Sequence, residues 1–342
     1  MKVFRIIEPG SFTTVQDRGR YGFQQFGVPL CGMLDVFAGE IANILVGNFN
    51  NEALLEFTFL GGTLEVINAV DIALAGGNME ATINGKAVEN WSSHNVLPGD
   101  IIRLNQVKKG CRAYLGITGG IDVPIVMGSR SCYTGAKIGG FKGRVLASGD
   151  ILTRGDKEPL NKLKTIPEKY IPRYGSNIVL RAIPGPQKEY FDSGMETFFN
   201  SCFTVSNQAN RMGYRLNGNC VKQKKSMPKS IISEPSLPGG VQIPEDGQPI
   251  ILLAEQTVGG YTKIATVIST DISKIAQAMP GDKISFKPVT LQQAHKIYRK
   301  RKKFFQKLQN IDLSIKSMAT MGKEFFNSEF FQQKIEEYML QI

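Results

Sequence analysis

The chain has 342 residues, of which 42% are apolar and 21% are charged. This composition allows a sizeable buried core and excludes intrinsic disorder as the default state. No apolar run reaches the roughly 18 residues that a membrane-spanning helix needs, so we expect a soluble, cytoplasmic protein. The five cysteines are widely spaced without a CxxC pair and the chain has two histidines, which argues against a disulfide framework and against a zinc site.

Short runs with a period of two dominate the first 289 residues, as is typical of half-buried β-strands bounded by turn residues. The pair Asn84-Gly85 between two such runs predicts a tight hairpin turn. The predicted strands, in chain order, are 64–66, 70–74, 81–83, 87–88, 101–104, 112–118, 178–183, 241–243, 250–254, 264–268 and 283–286. The fold class is therefore predicted to be mainly β.

Few helices are predicted before residue 290. Asp35 is placed to cap a helix that ends near Gly47, and Asp271 to cap a short helix that ends before Pro280. Residues 156–177 are rich in Pro and Lys and show neither period, so we interpret them as a linker between domains. The predicted units are an N-terminal domain (1–155), this linker, a C-terminal domain (178–289) and a helical extension (290–342).

The extension is predicted to begin with a helix that Thr290 and Gln293 cap reciprocally. It carries five consecutive basic residues, 299–303, and a second amphipathic stretch from Ile311 to Tyr338. From Thr290 onward the sequence contains ten basic and five acidic residues, which gives this part a net charge of +5 out of +11 for the chain. We interpret the basic run as the solvated face of a docked helix, and a contact with an acidic partner or nucleic acid is the alternative.

Several common catalytic motifs are absent from the sequence. It contains no GxxxxGK[ST] phosphate loop, no GxGxxG dinucleotide motif and no Met-Lys-Met biotin-carrier lysine. A Ser-His-Asp or Cys-His mechanism would need His94 or His295 as its base, and the most suggestive thiol is Cys132. For Cys132 a buried structural role is favoured.

Three segments combine glycines with charged and amide side chains more densely than packing requires. The first segment includes Gln16-Asp17-Arg18-Gly19-Arg20. The second runs from Arg112 through Gly128-Ser129-Arg130-Ser131 to Tyr133. The third contains Arg211-Met212-Gly213, Arg215, Ser233-Glu234, Gln242-Ile243-Pro244, Gln256-Thr257-Val258-Gly259-Gly260-Tyr261 and Lys263.

In this order the segments resemble the KipA family, also called the biotin-dependent carboxyltransferase family or allophanate hydrolase subunit 2, and within it the 5-oxoprolinase C subunits. The resemblance implies two cyclophilin-like β-barrel domains, with the C-terminal helical extension added to them. It also implies a complex with two further proteins, a KipI-like one and a LamB/YcsF-like one. Such a complex hydrolyses 5-oxo-L-proline to L-glutamate with ATP, and this chain alone would be inactive.

The chain departs from the family pattern at three places. Ala209-Asn210 stands where relatives usually have Ser-Asp, Pro235 where Gly is common after Ser-Glu, and Val258 where a second Thr is usual. These departures leave room for a different substrate preference or a weakened activity.

A lactam that carries a carboxylate requires cationic groups for the carboxylate and amide-reading groups for the ring. The candidate substrate-binding residues are Gln16, Arg20, Arg130, Tyr133, Arg211, Arg215, Gln242, Gln256, Gly259, Gly260 and Tyr261. The candidate catalytic residues are Lys263, Glu234 and Asp17, the first for charge stabilisation and the other two for proton transfer. No metal site is predicted.

Two other functions remain open from the sequence. A KipA-type protein can instead regulate a KipI-type inhibitor of a histidine kinase, or the chain can transfer a carboxyl group from biotin to urea or another amide. ATP is expected to be used by the assembled complex without a standard nucleotide motif in this chain, and biotin enters only through the family resemblance.

Overall fold

The computed structural model describes residues 1–48, 51–311 and 313. Most of the ordered elements in this part of the chain are β-strands, which confirms the predicted mainly β class. Within the described residues, no helix combines the length and the apolar character needed to span a bilayer.

The N-terminal half forms two antiparallel sheets around one core. The six-stranded sheet consists of β1 (Lys2–Glu8), β4 (Thr63–Val66), β6 (Thr82–Ile83), β7 (Lys86–Ala87), β9 (Ile101–Arg103) and β11 (Ile151–Thr153), in the order β11-β1-β4-β9-β6-β7. The five-stranded sheet consists of β2 (Phe12–Gln16), β3 (Leu54–Thr58), β5 (Val70–Asn78), β8 (Ser92–Val96) and β10 (Lys109–Ile117), in the order β2-β3-β10-β5-β8. Apolar side chains of both sheets meet in a single buried cluster, because each strand turns one face inward.

Helix α1 (Val36–Leu45) covers the outer face of the five-stranded sheet. Asp35 caps it as predicted, since its carboxylate accepts a hydrogen bond from Ala38 N at 3.0 Å. Strand β3 is buried at all five positions because the core and the α1 layer cover its two faces. A strand covered on both faces shows no alternation, which is why the period-two pattern missed β3.

The C-terminal half is a closed seven-stranded barrel. Its strands are β12 (Asn177–Pro184), β13 (Cys202–Ala209), β14 (Gly213–Asn217), β16 (Gly240–Ile243), β17 (Ile250–Leu252), β19 (Thr262–Val267) and β20 (Lys283–Pro288), in the order β12-β19-β16-β17-β14-β13-β20. The barrel closes through a parallel pairing of its first and last strands, β12 and β20. Beside the barrel, β15 (Glu234–Pro235) and β18 (Val258–Gly259) form a short two-stranded ribbon.

Three further α-helices complete the described part of the chain: α2 (Ser193–Asn200), α3 (Ile272–Ile275) and α4 (Leu291–Gln309). Short 3-10 helices occupy Gln24–Phe26, Glu168–Tyr170, Lys188–Tyr190 and Ser269–Asp271. The predicted capping box of α4 is present, with both hydrogen bonds between Thr290 and Gln293. The predicted cap of α3 is wrong, because the Asp271 carboxylate binds the Arg181 guanidinium at 2.6 Å and makes no capping bond.

Helix α4 docks on the N-terminal half. The Phe304 ring stacks on Phe37 of α1 with centroids 5.9 Å apart, and it meets Tyr170 edge-on at 5.1 Å. The chain between β11 and β12 runs along the same half, where Ile166 N donates to Trp91 O at 3.1 Å. The predicted second amphipathic stretch, apart from Ile311 and Leu313, lies outside the described residues.

A cluster of buried charges joins the two halves, and we call Glu56, Arg112, Arg211 and Glu255 the junction cluster. Arg211 from the barrel side donates to Glu56 of β3 and to Glu255, and its remaining nitrogen donates to Gly32 O at 2.7 Å. Arg112 of β10 donates to the Tyr214 hydroxyl of the barrel at 2.7 Å and lies 3.8 Å from Glu56. All four charged side chains are buried, so the contact between the halves includes charged groups that are largely shielded from water.

The junction cluster gives a stability prediction. Glu56→Gln removes a buried carboxylate from beside two guanidinium groups and should lower the free energy of unfolding by about 3–5 kcal/mol, as when one member of a buried ion pair is removed. Denaturant unfolding followed by fluorescence measures the change.

The matched control is Glu65→Gln, because Glu65 forms a solvent-accessible ion pair with Arg5 at 2.9 Å. That change should cost less than about 1 kcal/mol. Equal effects of the two substitutions would contradict a structural role for the junction cluster.

Candidate functional site

Lys263 of β19 and Glu234 of β15 form an ion pair at the edge of the barrel. Lys263 Nζ donates to Glu234 Oε1 at 2.7 Å. The Gln187 side chain binds both residues, because its oxygen accepts from Lys263 N at 2.9 Å and its nitrogen donates to Glu234 Oε1 at 3.0 Å. We call Lys263, Glu234, Gln187, Gln242 and Gly259 the lysine site.

Gln242 lies opposite Lys263 in the β16–β19 register. Its side-chain nitrogen is buried and has no hydrogen-bond partner among the described residues. A Cβ at Gly259 would lie 2.3 Å from that nitrogen. The absence of a side chain at Gly259, a predicted substrate-binding residue, therefore makes the space that the Gln242 amide fills.

The ion pair of the lysine site is asymmetric in its exposure. The Lys263 side chain is 7% exposed, whereas that of Glu234 is 39% exposed. The hydrogen bond from Lys263 lowers the pKa of Glu234 below its ordinary 4.5 against the opposing effect of burial. The site thus combines a buried ammonium, a buried amide N–H group without a partner among the described residues and a carboxylate open to water. Ammonium and amide donors are groups of the kind that stabilise negative charge on an oxygen.

Asp17 holds the loop around residue 130 in place. Its oxygens accept from Ser129 Oγ and Arg130 N at 2.6 Å each and from Gly19 N at 2.8 Å, and Ser131 Oγ donates to it as well. Because its acceptor positions face backbone and hydroxyl donors, the buried carboxylate has the environment of a structural anchor.

Gln16 and Arg20 lie beside Asp17 in the same buried region. Gln16 joins two chain segments, accepting from Gly32 N at 3.1 Å and donating to Cys132 O at 3.2 Å. Arg20 is fully buried and donates to Val126 O and Ser131 O, but its Nη1 has no partner among the described residues. A buried guanidinium with a free N–H group is a candidate anion contact.

Arg130 and Tyr133 border this region on the surface. Arg130 donates to Val123 O at 3.2 Å and lies 3.9 Å from Asp122, beside an open depression of about 440 Å³. Burial and the neighbouring Glu255 raise the pKa of Tyr133.

The remaining predicted residues are dispersed. Arg211 belongs to the junction cluster, and Arg215 points outward from β14 between buried Tyr214 and Leu216. Gln256 donates to Val258 O at 2.6 Å within its own turn. Gly260 accepts a hydrogen bond from Ile231 N at 2.8 Å through its carbonyl, and the Tyr261 ring is exposed.

One segment, residues 254–260, links the junction cluster to the lysine site. Ala254 O accepts from Cys31 N at 2.8 Å, Glu255 binds Arg211, and Gly259 packs against Gln242. Glu255 directly precedes the Gln256 motif and was within reach of sequence reasoning. Gln187 was missed, because no pattern around Pro186 indicates that it contacts Lys263, 76 residues away.

The other chemical groups considered from the sequence are placed as follows. His94 contacts Glu89 O at 2.9 Å, and burial lowers its pKa. Burial raises the pKa of Cys132 to about 11 and that of Cys31 to about 12, so both thiols are protonated at neutral pH. The described residues contain no group of three or more His, Cys, Asp or Glu side chains placed to hold a metal ion.

Comparison with curated proteins shows two relatives that match nearly end to end. Both are C subunits of 5-oxoprolinase: the chain is 39% identical over 308 residues to that of Escherichia coli and 33% identical over 308 residues to that of Haemophilus influenzae. Each alignment covers 90% of this chain and 97% of the relative. Urea amidolyase of Saccharomyces cerevisiae is 31% identical over 309 residues, which cover 85% of this chain and 17% of that much longer protein.

Solved structures show the same relationship. Urea carboxylase of Kluyveromyces lactis superposes with a TM-score of 0.85 at 30% identity, covering 90% of this chain and 29% of that one. The protein TTHA0988 superposes with a TM-score of 0.76 at 31% identity, covering 84% of this chain and 55% of that one. The family model for the carboxyltransferase domain, subdomains A and B, matches residues 26–288. With the two-sheet half, the barrel and the full-length relatives in agreement, the chain belongs to the carboxyltransferase domain family, subdomains A and B.

Proposed function

We propose that this chain is the C subunit of an ATP-dependent 5-oxoprolinase and contributes the lysine site to its active centre. The observation that carries the proposal is the match to two 5-oxoprolinase C subunits over 97% of their length. Because both relatives are named as subunits, they support an assembly of several different chains. The KipI-like and LamB/YcsF-like subunits are our proposal for its other members.

The chemistry of the lysine site suits a cyclic amide. A lactam presents a carbonyl oxygen, for which Lys263 Nζ and the free N–H of Gln242 are suitable partners. Phosphorylation of that oxygen by ATP releases ADP and makes the ring carbon electrophilic, and water then adds to the carbon. Cleavage of the C–N bond frees the amine and leaves an acyl phosphate, which a second water hydrolyses to glutamate and phosphate. Lys263 would stabilise the negative charge on the oxygen, and Glu234, which is open to water, would exchange protons with it.

Transfer of a carboxyl group from biotin is the second candidate. The superposition on urea carboxylase of Kluyveromyces lactis with a TM-score of 0.85 favours it. The same donors of the lysine site suit the carbonyl oxygen of a biotin ring or of urea. Avidin would abolish this activity, whereas a lactam hydrolase would be insensitive to avidin.

Reconstitution tests the proposal directly. The chain is mixed with the KipI-like and LamB/YcsF-like subunits, and glutamate release from 5-oxoproline and ATP is measured with and without this chain. Release that requires the chain supports the proposal. A stable complex of all three proteins that releases no glutamate would contradict it and would favour the regulatory function or another amide substrate.

The lysine site gives a specific prediction. Lys263→Met should lower glutamate release by at least about 100-fold, the usual loss when a charge-stabilising donor is removed, while the assembled complex persists on size exclusion. Lys283→Met is the control, because Lys283 is an exposed lysine on strand β20 of the same barrel. Activity of the Lys263 variant equal to that of the control would exclude Lys263 from the reaction.

The Lys263–Glu234 pair also predicts a pH dependence. Because the pKa of Glu234 is lower in the folded protein than its ordinary 4.5, the pair stabilises the fold above about pH 4.5 and loses that effect as the pH falls through the lowered pKa. The difference in unfolding free energy between the wild type and Glu234→Gln should therefore shrink in acid. Denaturant unfolding at pH 3 to 7 measures it, and a difference that grows toward pH 3 would contradict the assignment.

A further inference from the structure

Large apolar side chains are exposed around the lysine site. Ile232 is 93% exposed and Phe26 is 70% exposed. The full set of exposed large apolar residues on the three segments nearest the site is Tyr21, Phe26, Ile232, Leu237, Val258 and Tyr261.

The three segments that carry these side chains contact one another. Residues 231–237 and 257–261 are joined by the β15–β18 pairing and by hydrogen bonds from Ile231 N to Gly260 O and from Ser236 N to Thr257 O, both 2.8 Å. Gln24, between Tyr21 and Phe26, donates to Ser236 O at 3.3 Å. The six exposed side chains therefore lie on segments that contact one another, and we call this set the apolar rim.

The apolar rim is built on the elements of the lysine site. Strand β15 supplies Glu234 and strand β18 supplies Gly259, and both residues belong to that site. A protein that covered the rim would therefore also cover the exposed side of Glu234.

The area of the rim fits a specific interface. With about 150–250 Å² for a whole aromatic side chain and somewhat less for an aliphatic one, the six side chains leave on the order of 700 Å² exposed. That exceeds the usual apolar patch of a monomer, about 300–600 Å², and approaches the roughly 800 Å² that each partner contributes to a standard interface.

A basic segment lies beside the rim, and one of its lysines, Lys224, pairs with Asp192 at 2.9 Å. The segment 218–230 contains four lysines and no acidic residue, and Lys222, Lys225 and Lys229 are exposed. Gln223 fixes this segment next to β19 by donating to Thr262 Oγ1 at 2.8 Å. An apolar centre with a basic border complements a partner that has an apolar patch bordered by carboxylates.

We propose that the apolar rim is the docking surface for another member of the complex, one that presents an apolar patch with an acidic border. This inference rests on the proposed function, because the partner belongs to the proposed complex. The solved TTHA0988 chain contains further polypeptide beyond the matched part, since this chain spans 55% of its length. Docking removes water from Glu234 and strengthens the attraction between its carboxylate and Lys263.

Binding measurements with single variants test the docking surface. The KipI-like and LamB/YcsF-like subunits are each titrated against the immobilised wild-type chain and against Ile232→Glu, Phe26→Glu and the double variant. Each single variant should weaken the binding of one of these two proteins by at least about tenfold, because a charge enters an apolar interface centre. Ile232→Leu should bind like the wild type.

The matched control is Leu97→Glu, because Leu97 is 62% exposed on a turn of the N-terminal half. This variant should bind within about twofold of the wild type. Unchanged binding by the double variant, or equal weakening by Leu97→Glu, would overturn the proposal. A wild-type chain that is dimeric alone and that Ile232→Glu converts to a monomer would overturn it too, by assigning the rim to a second copy.

Glutamate release from the same mixtures separates this inference from the proposed function. Wild-type binding that the rim variants weaken, without glutamate release, supports the docking surface and contradicts the hydrolase function. Full binding and full release by the double variant support the function and overturn the docking surface. A wild-type chain that binds neither of the two proteins overturns both.

Discussion

The structure depends on the charges buried between its two halves. Burial disfavours the Arg211 cation, yet the attraction of Glu56 and Glu255 outweighs burial and holds the pKa of Arg211 above its ordinary value. Because water cannot replace a lost partner in this region, each guanidinium and carboxylate must keep its place. A small rotation of the barrel against the two sheets would therefore break several charged hydrogen bonds together, and this fixes the relative orientation of the halves.

The orientation of the halves matters because the candidate chemistry is divided between them. Arg20 with its free N–H group lies in the N-terminal half, whereas Lys263 and Gln242 lie in the barrel. The segment 254–260 begins at the junction cluster and ends at the lysine site. A displacement of Glu255 would therefore be expected to displace Gly259 as well. The same segment carries Val258 of the apolar rim. These few residues therefore connect the two halves, the lysine site and the docking surface.

Sequence reasoning found the local features and the chemical types. The helix cap at Asp35 and the capping box at Thr290 depend on residues three positions apart, and both are confirmed. Lys263 and Glu234 were selected separately, but their pairing depends on the β15–β18 ribbon, which no local pattern indicates. Arg211 was identified as a ligand group, whereas its contact with Glu56, 155 residues away, follows from the packing of one half on the other. The family to which the chain belongs was identified from the resemblance of its motifs, because hydrophobic periodicity indicates only the fold class.

The docking of α4 has a consequence for biosynthesis. The apolar layer over the five-stranded sheet contains Phe37 and Trp91, which are made early, together with Phe304 and Leu308, which are among the last residues described. When the N-terminal half has been synthesised, the outer apolar layer over its five-stranded sheet is therefore still incomplete. Until α4 emerges, that half exposes aromatic surface to chaperones and to other nascent chains. Truncation before α4 should consequently show itself first as aggregation of newly made protein in the cell.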